Sequence, residues 1–221
     1  MIPIVCIVGT SNVGKTTFIE KLLPELTGRG YRVGTVKHDV HGFEMDREGK
    51  DTWRHRQAGA QAIAISSPVQ MALIRSTSGE IPLDELVSRL FWTEDLVLAE
   101  GFKRLHFPKI EVFRANMSEK PLCGPGDNLM ALVSDDAVPG LDGTPRFGCD
   151  DAGLVADLIE DRFLRGRKQP KIAVHLDGHK LPLNDFVADF VRGGICGMLS
   201  TLRGWSPPRQ LDIHIRLEED A

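Results

Sequence analysis

The chain opens on a continuous apolar run, Ile2-Pro-Ile-Val-Cys-Ile-Val8, then Gly9-Thr-Ser-Asn-Val-Gly-Lys-Thr-Thr17, then apolar positions at helical spacing from Phe18 to Leu26. A run without polar alternation suits a strand buried on both faces, so the predicted order is strand, loop, helix. Gly28-Arg-Gly30 ends that helix with a residue able to take positive φ, and Tyr31-Arg-Val-Gly-Thr-Val36 reads as the second strand. Ala62-Ile-Ala-Ile65 and Gln70-Met-Ala-Leu-Ile74 predict a hairpin across Ser66-Ser-Pro68. Pro82 to Phe91 has helical periodicity with proline near its start. Asp95-Leu-Val-Leu-Ala-Glu100 is a buried strand ending in a carboxylate, and Lys109-Ile-Glu-Val-Phe113 and Leu129-Met-Ala-Leu-Val-Ser134 supply two more. Asp150 to Leu164 predicts an amphipathic helix.

Strand-helix-strand units of this kind form parallel sheets with right-handed crossovers, and ligands sit at the carboxyl ends of the strands. The expected class is α/β: a phosphate-loop nucleoside triphosphatase fold, its mostly parallel sheet flanked by helices, over residues 1–165. The basic, proline-containing Arg165-Gly-Arg-Lys-Gln-Pro170 looks like a linker. Beyond it, residues 166–221 predict a small β-β-α-β appendage. Lys171 to Leu176 and Lys180 to Leu183 flank an Asp177-Gly178 turn, Asn184 caps a helix through Leu202, and Leu211 to Leu217 alternates as a final strand. In that helix Phe186, Val187, Phe190, Val191, Ile195, Met198 and Leu199 have the spacing of a core face.

Composition narrows the function. A formal net charge of −4 over 221 residues, without a basic run, gives no electrostatic footprint for nucleic acid. The longest apolar runs fall short of a bilayer span and the N-terminus lacks a secretion signal, so the expected location is the cytoplasm. The four cysteines lack C-x-x-C spacing, which suggests packed, reduced thiols.

The chemistry is concentrated at Gly9, Thr10, Ser11, Asn12, Val13, Gly14, Lys15, Thr16 and Thr17, which match G-x-x-x-x-G-K-[ST]. Glycines at the two ends let backbone N–H groups converge on phosphate oxygens, where the helix N-terminus adds partial positive charge. Lys15 is expected to reach the outer phosphates, Thr16 to place its hydroxyl on Mg²⁺, and Thr17 to hold the innermost phosphate. Glu100 resembles a Walker B acid acting through a metal-bound water; a strand-capping acid without a ligand is the alternative. Asp135 or Asp136 could accept hydrogen bonds from guanine N1–H and N2, or could be solvated turn carboxylates, since the N-K-x-D signature is absent. Residues 37–60 hold Lys37, His38, Asp39, His41, Arg54 and His55 with acids and bases in balance, and Asp51 is placed to cap a helix carrying Trp53, Arg54 and Arg56. Such a loop at the strand ends can hold a second anion beside a triphosphate.

The phosphate loop, Lys37-His38-Asp39 with His41-Gly42-Phe43 and Asp46, Gly49 to Thr52 running into Trp53-Arg54-His55-Arg56, Ala58-Gly59-Ala60, and Glu100-Gly101-Phe102-Lys103 together resemble the molybdopterin-guanine dinucleotide biosynthesis protein B (MobB) family over about residues 1–165. The resemblance implies a GTPase-like fold, usually a homodimer. It also implies GTP and Mg²⁺ binding, slow hydrolysis, and assistance to the guanylyltransferase enzyme that joins GMP to molybdopterin. It assigns the phosphate loop, Asp39 and Glu100 to nucleotide and Mg²⁺, and leaves the roles of Lys37, His38, His41, Arg54 and His55 open. The second anion would then be the terminal phosphate of molybdopterin. No covalent nucleophile is evident, which favours an adaptor or slow GTPase over a fast transferase. Two other classes fit the phosphate loop: a small-molecule kinase with Arg54 and Arg56 in its lid, and a metal-delivery GTPase using His38-x-x-His41.

Overall fold

The computed structural model describes residues 2–39, 42–91, 93–124, 126–138, 141, 143–166, 172, 174–176, 179–206, 208, 211, 213 and 215. The chain divides into two compact units, Met1–Lys168 and Gln169–Ala221.

The first unit is built on six strands: β1 (Ile4–Val8), β2 (Val33–Lys37), β5 (Leu96–Glu100), β6 (Lys109–Val112), β7 (Leu129–Val133) and β8 (Arg146–Phe147). They lie in the order β2-β5-β1-β6-β7-β8 and every pair is parallel. The first apolar run fails to alternate because both faces of β1 are covered. Val5 and Ile7 pack with Phe18, Leu22 and Leu26 of α1 (Lys15–Gly28) and with Val155 and Ile159 of α4 (Ala152–Ile159). Ile4, Cys6 and Val8 pack on the other side with Leu83 and Val87 of α3 (Leu83–Leu90). As the sheet is parallel, the loops after all six strands emerge at one edge, and β5 lies directly beside β1 with Ile7 paired to Glu100.

Lys109 and Glu111 depart from the apolar pattern, since both are 1% exposed within β6. Lys109 Nζ donates to the carbonyls of Leu105 and, at 2.7 Å, Asp127. Glu111 accepts from the N–H groups of Leu122 (2.6 Å) and Cys123 (2.9 Å). The connections on either side of β6 thus lie on the sheet face as irregular chain, and the two charges satisfy backbone groups that a helix would have satisfied internally.

The predicted hairpin forms from β3 (Ala62–Ser66) and β4 (Met71–Arg75), antiparallel. The helix expected from Asp150 to Leu164 begins at Ala152, and from Glu160 to Leu164 it widens into a π-helical turn closed by Arg165 N–H on Glu160 O at 2.8 Å. The Glu160 side chain is drawn toward α1, taking Arg29 Nη1 at 2.8 Å and Tyr31 OH at 2.9 Å.

In the second unit, β9 (His175–Leu176) pairs antiparallel with β10 (His179–Lys180), and Asn184 caps α5 (Asp185–Ser200) by accepting from Val187 N–H at 2.9 Å. The Asp177-Gly178 turn lies outside the described residues, as do Asp212, His214, Arg216 and Leu217 of the expected last strand. The expected core face of α5 is covered only in part: Val187, Val191, Ile195 and Leu199 are half-buried, whereas Phe186 and Phe190 stack at 6.5 Å between ring centroids yet are 79% and 73% exposed. A two-residue ladder offers too little surface to cover a four-turn helix.

Candidate functional site

The loop from Gly9 to Gly14 is shaped by backbone conformations that few side chains tolerate. Gly9 has φ 146° and packs so closely on the carbonyl of Val112 that a Cβ there would clash; Gly14 has φ 105° and caps α1. Asn12, at φ 61°, is the loop's non-glycine member of the left-handed region. The N-terminus of the fourteen-residue α1 therefore opens onto the carboxyl edge of the sheet.

Lys15 arches back over this loop, its Nζ donating to Thr10 O at 2.7 Å and to Gly9 O at 3.3 Å. Burial lowers its pKa, Glu100 opposes that shift, and Lys37 and Lys103 add to it. Three cations thus share one neighbourhood, which is the electrostatics of an anion site. Beside them the Thr16 hydroxyl stands 3.0 Å from each carboxylate oxygen of Glu100. These are hard oxygen donors, and they fit Mg²⁺.

The end of β2 stands beside Glu100, Lys37 pairing with it in register and His38 N–H donating to its carbonyl at 3.1 Å. Gly101, at φ 97°, turns the chain so tightly that a Cβ would lie 3.3 Å from His38 Cβ. The His38 ring packs on Phe102 at 4.8 Å and its Nε2 meets Glu80 at 2.9 Å. Asp39 follows directly, and His41 lies outside the described residues.

Arg54 and His55 sit on α2 (Asp51–Gln57), which packs against β3. Both are exposed, and among the described residues neither side chain bonds to the phosphate loop. Contrary to the expectation from the sequence, Asp51 does not cap this helix. Lys50 occupies the cap position, and Asp51 lies in the first turn, where its charge still favours the helix dipole. Thr52 ties the preceding loop to α2 by donating to Asp46 at 2.9 Å.

On the opposite side of the phosphate loop, a cleft is lined by Gly14, Thr17, Phe18, Lys21, Arg114 and Cys149. Asp135 and Asp136 stand at the loops around it and are both engaged. Asp135 accepts from Cys149 N–H at 2.8 Å, and Asp136 from Ala115 N–H at 2.7 Å. The Cys149 N–H is the main cause holding the Asp135 carboxyl below its ordinary pKa, with Arg114 contributing. Arg114 is a residue the sequence reading passed over; its Nε donates to Val13 O at 3.0 Å. The available signal was a cation placed directly after a strand flanking the phosphate-loop strand.

A parallel sheet with a glycine-framed phosphate loop at the end of its central strand, and an acid ending the strand beside it, defines a phosphate-loop class of α/β fold. Residues 4–135 match the model of the family described as molybdopterin guanine dinucleotide synthesis protein B, MobB. The chain belongs to that family. It is 37% identical over 162 residues to the molybdopterin-guanine dinucleotide biosynthesis adapter protein of Escherichia coli, covering 72% of this chain and 92% of that one. With the adapter protein of Haemophilus influenzae it shares 39% identity over 135 residues, 61% of this chain and 75% of the relative. The crystal structure of Bacillus subtilis MobB superposes with a TM-score of 0.59 at 30% identity, over 75% of this chain and 99% of that one.

Proposed function

We propose that this protein binds Mg²⁺ and GTP at the phosphate loop, hydrolyses the nucleotide slowly, and serves as an adapter for the enzyme that attaches GMP to molybdopterin. The observation that carries the nucleotide reading is the contact of Thr16 with both oxygens of Glu100 beside Lys15. It brings a hydroxyl and a cation from the first turn of α1 and a carboxylate from the end of β5 to the mouth of a helix N-terminus suited to an anion. Mg²⁺, held by Thr16 and Glu100, with Asp39 next to His38 whose N–H meets the Glu100 carbonyl, would neutralise phosphate charge; Lys15 would leave its two carbonyls for the outer phosphates. Lys37 and Lys103 leave positive charge beyond that site, suited to a second anion such as the terminal phosphate of molybdopterin, with His38, His41, Arg54 and His55 on the same segment.

The adapter reading rests on the relatives, which are named as biosynthesis adapter proteins. Self-association as a homodimer is part of it, because the β3–β4 hairpin carries exposed Ile65, Val69, Met71 and Leu73. Free thiols at Cys6, Cys123, Cys149 and Cys196 suit the reducing cytoplasm. Among the described residues no helix is long and apolar enough to cross a membrane.

The test is reconstitution with GTP present throughout as the GMP donor: GMP attachment to molybdopterin by the guanylyltransferase is measured without this protein, with the wild type and with Lys15→Ala. Stimulation by the wild type that Lys15→Ala loses is expected. A rate unchanged by the wild type contradicts the adapter reading. A kinase would instead transfer labelled phosphate to an acceptor.

A further inference from the structure

Three arginines are half-buried among the described residues: Arg29, Arg56 and Arg114. Arg29 is taken by Asp157 and Glu160, and Arg114 by the carbonyl of Val13. Arg56, near the end of α2, has no hydrogen-bond or ion-pair partner among the described residues. Withdrawing a guanidinium part-way from water costs free energy that a carboxylate or carbonyl ordinarily offsets, so an unpaired one at a cleft is suited to an anion.

Arg56 lines an open cleft of about 400 Å³. One wall is the turn leading out of α2, Gly59 to Gln61, where Gly59 takes φ 107°. The other is Ser76 to Ser78, which follows β4, and Ser76 N–H joins the two walls by donating to Gln61 O at 2.9 Å. One guanidinium, one carboxamide and three hydroxyls thus line a single space, with no carboxylate among them. None of these side chains has a partner among the described residues. The volume exceeds what an inorganic ion fills, since a water takes about 30 Å³ of the liquid, and it falls in the range of small-molecule sites. From Ser78 the chain runs through Gly79 to Glu80, whose carboxylate meets His38 Nε2 at 2.9 Å, so this wall continues into the end of β2.

We propose that this cleft binds a phosphate monoester with a polar organic group. Arg56 holds the phosphate, whose three oxygens suit the planar fork of a guanidinium and neighbouring hydroxyl donors. Gln61 and the hydroxyls of Ser76 to Ser78, which both donate and accept, hold the organic part. The site is separate from the phosphate loop and does not rest on the triphosphate reading given above.

The test follows backbone amide signals of the full chain by NMR during titration with ribose 5-phosphate, inorganic phosphate and ribose, in the wild type, Lys15→Ala, Arg56→Gln and Arg56→Lys. Ribose 5-phosphate should shift Gln61 and Ser76 to Ser78 saturably, inorganic phosphate more weakly, and ribose not at all. Lys15→Ala should leave these shifts unchanged, whereas Arg56→Gln should weaken the binding at least roughly ten-fold, with signals elsewhere in place to show the fold intact. Arg56→Lys keeps the charge without the planar fork and should fall between the two. Four results overturn the proposal: no saturable shift at the cleft, shifts that Lys15→Ala abolishes, ribose binding as well as its phosphate, or Arg56→Gln binding as the wild type does. A failure of GTP binding at the phosphate loop leaves these outcomes unaffected, so the two readings fall separately.

Discussion

Thr16 and Glu100, eighty-four residues apart in the chain, meet with the hydroxyl 3.0 Å from each carboxylate oxygen. The contact is a product of register: β1 and β5 pair so that Ile7 stands opposite Glu100, and α1 starts after the glycine-framed turn that leaves β1. The two groups therefore stand together before any ligand organises them, which lowers the conformational cost of binding.

If Glu100 orients water and metal, its charge matters more for hydrolysis than for binding. Glu100→Gln keeps size and hydrogen bonding. GTP affinity should stay within several-fold of wild type, while single-turnover phosphate release slows by roughly 10²–10³. An unchanged release rate in Glu100→Gln together with a slow one in Asp39→Asn would make Asp39 the essential acid.

Lys109→Met should cost about 3 kcal/mol of stability, read as a lower urea midpoint at unchanged slope. The substitution keeps the stem but strips the buried carbonyls of Leu105 and Asp127 of their donor. A midpoint equal to wild type would mean that these loops are held by other contacts.

The clasp between α1 and the π-helical turn gives a pH signature. Arg29 first, then Tyr31, hold the Glu160 carboxyl below its ordinary pKa of 4.5. A carboxylate whose pKa is depressed on folding contributes stability that is present above 4.5 and lost as pH falls through its folded value. Glu160→Gln should flatten that part of the acid limb, measured as thermal midpoint against pH. An acid limb identical to wild type would show that the clasp contributes nothing.

What was legible in the sequence follows from burial. Strands β1 and β5, covered on both faces, announce themselves as unbroken apolar runs, and the phosphate loop and Glu100 are fixed by where those runs end. Lys109 and Glu111 were illegible as buried charges because their partners are main-chain groups of irregular connections, which leave no pattern. Arg114 was missed for a related reason: its partner is the main-chain carbonyl of Val13, and its one mark in the sequence is a cation just after a strand. The α5 stripe misled in the opposite direction, since periodicity reports an apolar face but not what covers it. Asp135 and Asp136 were legible as turn carboxylates at a strand end, while their engagement by Cys149 and Ala115 depends on loops distant in sequence.

The central claim is that Lys15 leaves Thr10 and Gly9 to hold the outer phosphates of a bound triphosphate. Isothermal calorimetry of Mg²⁺-GTP against wild type and Lys15→Ala tests it most directly, with circular dichroism confirming that both are folded. The wild type should show a saturable isotherm that Lys15→Ala weakens at least roughly ten-fold, as expected for loss of a charge-assisted phosphate contact. Equal affinity in the two proteins, or no binding by the wild type, contradicts the account.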